Sequence, residues 1–231
     1  MLRFTFAFLC FFIAFKGTSQ SRIFEAEILF QSRHIWRGSQ LGKTLAIEPS
    51  LTLTKNHFSF NFWAAITPDN SYSEVDLVPS YNFCAFKLTL FDYYNPVPGG
   101  INQFLNFREG NNRHSLELAA DNYSAEKQRL KWMIGTFLAG DRNKETWKPL
   151  YSTYIEFRCR FAIWLFRAEP FAGLTPFRGY YADRFALINT GISFSKELDL
   201  KLPFKIPLSL SFISNPYSRK NFIIFGVGVA I

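Results

Sequence analysis

The sequence predicts an all-β protein, a transmembrane antiparallel β-barrel of about 12 strands in up-and-down meander order. Three observations carry this. Segments of about ten residues alternate large apolar side chains with polar or small ones, the period of a strand with two unlike faces. The stretches between them alternate in length, short and then long. Aromatic residues are abundant, with 28 Phe, 10 Tyr and 5 Trp, while the mean hydropathy is only -0.01. Apolar residues are therefore interleaved with polar ones, as a β-rich chain requires.

The chain opens "MLRFTFAFLCFFIAFKGTSQS". Arg3 precedes an apolar run from Phe4 to Phe15, and the small residues Gly17 and Ser19 follow. This is the layout of a secretory signal over residues 1–19, cleaved after Ser19, which leaves 20–231 as a single barrel domain. The run is too short to span a bilayer as a helix, which takes about 20 residues. Cys10 lies inside the run and not at a cleavage site, so no lipoprotein is expected. Loss of Arg3 and Lys16 lowers the net charge from +8 to +6. No basic run marks a nucleic-acid surface, so no nucleic acid is expected as a partner. Cys84 and Cys159 are read as unpaired.

The clearest strand is 201–213, "KLPFKIPLSLSFI", where Leu202, Phe204, Ile206, Leu208, Leu210 and Phe212 form one row. In 57–66, Phe58, Phe60, Phe62, Ala64 and Ile66 oppose His57, Ser59, Asn61, Trp63 and Ala65. The stretches 45–54 and 151–160 repeat the pattern. Weaker versions run at 23–34, 74–82, 85–93, 114–121, 130–139, 164–173, 185–195 and 222–231. At the end, Ile223, Phe225, Val227, Val229 and Ile231 face one way and Gly226, Gly228 and Ala230 the other, as a closing strand would. Pro49, Pro79, Pro170, Pro203 and Pro207 cut against the pattern, because each removes a ladder donor.

Short connections include "TKNH" at 54–57 and "NFCA" at 82–85; longer ones are 37–44, 67–73, 94–112, 140–150, 174–184 and 214–220. Turns short at one end and long at the other describe a barrel of the cell outer membrane, with outer-membrane lipid as its surroundings. Whether the longest loop, 94–112, plugs the lumen is left to the structure. Trp36, Trp63, Tyr93, Tyr94, Tyr151 and Tyr217 lie near strand ends and are expected in the aromatic girdle at the headgroups. A soluble secreted β-sandwich would also alternate, but its loop lengths need not.

Several short stretches, in order, complete this reading: "IWRG" at 35–38, "EPSL" at 48–51, "EVDL" at 74–77, "DYY" at 92–94, "YSTYIEF" at 151–157, "GLTP" at 173–176, "NPY" at 215–217 and the closing "FIIFGVGV". Together they resemble the TorF-type porins, a family of outer-membrane β-barrels of Gram-negative bacteria. The resemblance implies a barrel and an outer-membrane address, with the barrel-insertion machinery as a partner. It brings no substrate and no catalytic residues. Outer-membrane barrels commonly end in an aromatic residue, whereas this sequence ends in Ile231.

If the bulky rows face lipid, the other rows face a lumen. They hold Glu25, Glu27, Arg33, Glu48, Glu74, Asp76, Lys87, Glu117, Asp121, Lys131, Glu156, Arg158 and Arg160. Buried charges persist only when paired or hydrated. They either make cross-lumen ion pairs that fill a narrow barrel, or line a porin-like channel for small polar solutes. An enzyme is not expected. His57, Ser59 and Asn61 share a strand face, but that row points to the lumen near a short turn, where no lipid substrate lies. His114 and Ser115 are adjacent and point to opposite faces, and His34 is read as an interfacial residue. Three scattered His and the cysteine spacing give no metal site, and no cofactor is expected.

Overall fold

Once alternating strands pair, every bulky row must turn to the same side, because paired residues share a face. The computed structural model describes residues 24–97, 100–108, 113–125, 128–143 and 146–231, so the expected signal at 1–19 lies outside them. Its strands begin β1 (Phe24–Gln31), β2 (His34–Trp36), β3 (Ser39–Leu41), β4 (Ala46–Lys55), β5 (Phe58–Ile66), β6 (Ser73–Asn82), β7 (Lys87–Tyr94) and β8 (His114–Asp121). They continue β9 (Leu130–Ala139), β10 (Thr153–Cys159), β11 (Phe161–Ile163), β12 (Phe166–Thr175), β13 (Ala186–Leu198), β14 (Ile206–Asn215) and β15 (Lys220–Ala230).

Twelve strands close into one antiparallel barrel, each paired with its neighbours in sequence. β11 prolongs β10 along β12 beyond a break at Arg160, and β2 with β3 forms a separate hairpin. The seam joins β15 to β1, from Glu27 opposite Ala230 to Gln31 opposite Gly226. The Ile231 amide adds a bond of 2.9 Å to the Ala26 carbonyl. Every expected strand has its counterpart, although the strand expected at 201–213 starts at Ile206. Lys201, with φ 58°, belongs to a turn.

The prolines are accommodated one side at a time. Pro49 faces Ile28 of β1, but the β4–β5 ladder skips from Ile47 to Ser50. Pro79 faces Phe60 of β5, but the β6–β7 ladder skips from Leu77 to Ser80. A residue without an N–H keeps one ladder and interrupts the other. Pro203 lies outside the strands, in the turn before β14.

The connections sort to two rims as expected, but their lengths overlap. The long-loop rim carries 32–45, 67–72, 95–113, 140–152, 176–185 and 216–219. The short-turn rim carries 56–57, 83–86, 122–129, 164–165 and 199–205. The outer wall is apolar: Ile223, Phe225, Val227 and Val229 are exposed, while Ile224, Gly226 and Gly228 on the same strand are buried. A closed sheet leaves no unpaired edge in the wall, and its apolar exterior needs a hydrocarbon solvent. The barrel is therefore of the transmembrane type. No helix is long and apolar enough to cross a membrane among the described residues, which leaves crossing to the strands.

Candidate functional site: the stoppered lumen

The lumen rows follow from the register. Thr52 of β4 faces Asn61 of β5, and their side chains bond at 2.8 Å. Ser59 bonds Ser80 of β6 at 2.7 Å, and Ser211 of β14 bonds Ser193 of β13 at 2.9 Å. Towards the short-turn rim the wall is thus lined by small hydroxyl and amide groups, with Gly226 packed closely under Ser209 of the neighbouring strand.

Towards the long-loop rim the lumen is filled, and the filler is the hairpin β2–β3. Its turn places Arg37 at φ 47° and Gly38 at φ 75°, the positive pair that a two-residue turn between right-twisted strands needs. The turn runs deep into the barrel. Arg37 donates from Nη1 and Nη2 to the two carboxylate oxygens of Glu117 on β8, at 2.8 and 2.9 Å. Tyr93 of β7 donates to the same carboxylate at 2.6 Å, and Arg37 also donates to the Tyr181 hydroxyl. Its guanidinium lies 4.5 Å from the Tyr154 ring centroid and 4.7 Å from that of Trp36. Burial opposes the Arg37 charge, but Tyr181 and Glu117 more than offset it and hold its pKa well above the ordinary value. Burial likewise pushes the Tyr181 phenol up, against the pull of Arg37.

The rest of the hairpin is fixed as firmly. Asn215 of β14 donates to the Gly38 carbonyl at 3.2 Å, and a Cβ on Gly38 would lie 2.0 Å from the Ile188 carbonyl oxygen. Trp36 packs edge-on against Tyr93, Phe137 and Tyr180. His34 donates from Nδ1 to Glu48 at 2.7 Å, and its ring stacks on Tyr72. Tyr180 and Tyr181, from the loop 176–185, fold in over the turn.

A second network sits on β10. Glu156 accepts from Tyr123 at 2.7 Å, from Asn189 at 3.0 Å, from Tyr154 and from Arg158. The structure also pairs Lys87 with Asp121 at 3.7 Å and Arg160 with Glu169 at 2.5 Å. Lys131 gives its ammonium to the carbonyls of Asn122 and Ala125. Glu25 and Glu27 lie on the lumen row of β1, opposite Thr52 and Ser50. Glu74 accepts from Tyr72 and Asn95, at 2.7 and 2.6 Å. Asp76 is buried next to it, with Oδ1 unbonded.

Several expected placements change. Arg33 is exposed at the rim, reaching Gln40 at 3.4 Å, because the strand has ended before it. His34 is buried in the lumen, not interfacial. Of the expected girdle, Trp36, Trp63 and Tyr93 point inward. Trp63 pairs with Asp76 and meets His34 at 5.5 Å, since parity, not nearness to a strand end, sets the face. Tyr94 is on the outer wall but covered by Phe104, whereas Tyr151 and Tyr217 are exposed at the long-loop rim. The described segment 100–108 of the longest loop does not plug the lumen. It lies on the outside of the wall, where the outward-facing His114 bonds Asp92 and the Phe104 carbonyl, both at 2.7 Å. His57, Ser59 and Asn61 do not meet: the two polar partners bond Ser80 and Thr52, and His57 rests against Tyr81. Cys84 and Cys159 are both free thiols.

Fold and site together define a transmembrane-type β-barrel stoppered from one rim by its own first loop. No family model and no curated protein matches the sequence. A solved chain from work on the in-meso crystallization of membrane proteins aligns over 90% of this chain and 83% of its own, at TM-score 0.48 and 9% identity.

Proposed function

We propose that this chain is an outer-membrane β-barrel that passes small polar solutes and rests closed, with the hairpin His34–Leu41 as its stopper. The observation that carries the reading is the junction of two unlike halves. A lining of small hydroxyl groups suits water and polar solutes. It ends at a hairpin held by discrete bonds that can be released together. The outer-membrane address rests on the loop asymmetry and on the resemblance to the TorF-type porins, which agree with long loops outside and short turns in the periplasm. Outer-membrane lipid and the barrel-insertion machinery are the partners this implies.

A second reading, a non-conducting structural barrel, is favoured by one observation: the Arg37–Glu117 pair has its principal donors and both acceptors satisfied. A lipid hydrolase finds no support, because Ser59 and Asn61 are engaged away from His57. The test is liposome swelling in isosmotic sugar. Wild-type protein is expected to admit sugar slowly, and a variant with residues 35–40 replaced by two glycines much faster. A variant that keeps its heat-modifiable gel migration yet admits no sugar overturns the passage in favour of the structural barrel.

A further inference from the structure

The charges of the lumen are not mixed evenly around the wall. On β1, β4, β5 and β6, four neighbouring strands, the lumen rows contain no Lys or Arg. They carry Glu25, Glu27, Glu48, Glu74 and Asp76 instead. The lumen cations lie on the remaining strands and turns, from β7 beside β6 round to Lys205 before β14, and most of them come already matched with acids: Lys87 with Asp121, Arg158 with Glu156, Arg160 with Glu169 and Lys205 with Glu197. Arg37, the cation the hairpin brings in, is matched with Glu117. Glu74 is served by neutral donors, the Tyr72 hydroxyl and the Asn95 amide. Asp76 is 5% exposed, and its Oδ1 finds no donor although it lies in the same lumen row. A buried carboxyl oxygen without a donor is costly unless a cation, a water or a proton satisfies it.

We infer that the passage is selective for small cations, inorganic or amine, with the β1–β6 wall as its selectivity surface. This rests on the passage reading above. The exported chain is basic as a whole, so the excess of acid is a property of the lumen and not of the protein at large. In a barrel of about 12 strands a permeating ion is never far beyond one Debye length, about 10 Å at 0.1 M salt, from that wall. Withdrawal of the hairpin would also free Glu117 of its arginine, so opening adds an acid to the path.

The experiment is the reversal potential of Arg37→Ala protein in a planar bilayer under a potassium chloride gradient. The expected record favours potassium over chloride. Glu25→Gln with Glu27→Gln in the same background reduces the permeability ratio by about twofold or more, and most at low salt. Each Gln change is also made singly, so that a double variant that fails to fold does not end the test. A conducting protein that prefers chloride, or whose ratio ignores both substitutions, overturns the selectivity and leaves the passage standing. A folded variant that conducts nothing overturns the passage and the selectivity together.

Discussion

Arg37 and Glu117 are 80 residues apart in sequence and meet inside the barrel as a parallel two-bond pair, at 2.8 and 2.9 Å. The geometry binds the first loop of the chain to the far wall, with Tyr93 and Tyr181 completing the bonds. A guanidinium and a carboxylate matched in this way repay their desolvation only while both are present.

Glu117→Gln keeps the shape and removes the charge, leaving Arg37 buried without its counter-ion. The loss is expected to be about 3–5 kcal/mol. It is read as a lower temperature for the shift from folded to unfolded gel migration. Glu117→Gln combined with Arg37→Met should recover most of it, because an apolar pair leaves no buried charge behind. A single variant as heat-resistant as wild type would remove the pair from the account.

Gly38 is where the turn crosses most closely behind the wall. Its φ of 75° disfavours any side chain, and a Cβ there would lie 2.0 Å from the Ile188 carbonyl oxygen. Gly38→Ala should therefore displace the hairpin and raise sugar entry into liposomes as its replacement does, with all charges intact. Unchanged entry would mean that the stopper does not govern passage.

His114, fixed to the wall by its bond to Asp92, holds the loop segment 100–108 there by a bond to the Phe104 carbonyl, with Phe107 stacked on its ring at 4.2 Å. His114→Ala should release the loop and speed tryptic cleavage after the exposed Arg108 by about tenfold. Cleavage at the wild-type rate would show that the loop is held by other contacts.

Asp69 ties two rim loops together. Its Oδ1 accepts from the Ser71 hydroxyl at 2.7 Å, from the Ser71 amide at 3.1 Å and from Thr44 at 3.0 Å. The Ser71 hydroxyl first, and the other donors with it, hold its carboxyl down to about 2, against the opposing effect of desolvation. With the folded value below the unfolded one, the tie is fully present above about pH 4 and lost as the pH falls through about 2. Amide exchange at Ser71, corrected for its intrinsic pH dependence, should stay slow to pH ~3 and rise below it. Asp69→Asn should exchange fast throughout. Slow exchange in that variant would contradict the tie.

Phe225 points into the hydrocarbon from the middle of the closing strand. Phe225→Arg should destabilise the folded barrel in lipid vesicles by about 2–4 kcal/mol, the cost of a cation near the midplane. The same change at Ser209, in the lumen row, should cost less. Equal costs would mean that the two faces are wrongly assigned.

The barrel is legible in the sequence because its rows are long. β14 and β15 alternate over about ten residues each, and a row of that length has one reading. The stopper is not legible. Its strands, His34–Trp36 and Ser39–Leu41, are three residues each, too short to establish a period. The one available signal is "RG" between two short runs, a two-residue turn wanting positive φ. Which charges meet is hidden for another reason: Arg37 and Glu117 are joined by topology, and no local pattern predicts a partner 80 residues away. The aromatic girdle fails at Trp63 because closeness to a strand end is a weaker guide than its alternation with Phe62 and Ala64.

Single-channel recording of wild-type and Glu117→Gln protein, in the same bilayer and salt, tests the central claim most directly. A lumen stoppered through Arg37 predicts rare, brief openings in wild type and frequent, long-lived steps in the variant. Identical records from two folded proteins, silent or conducting, would contradict it.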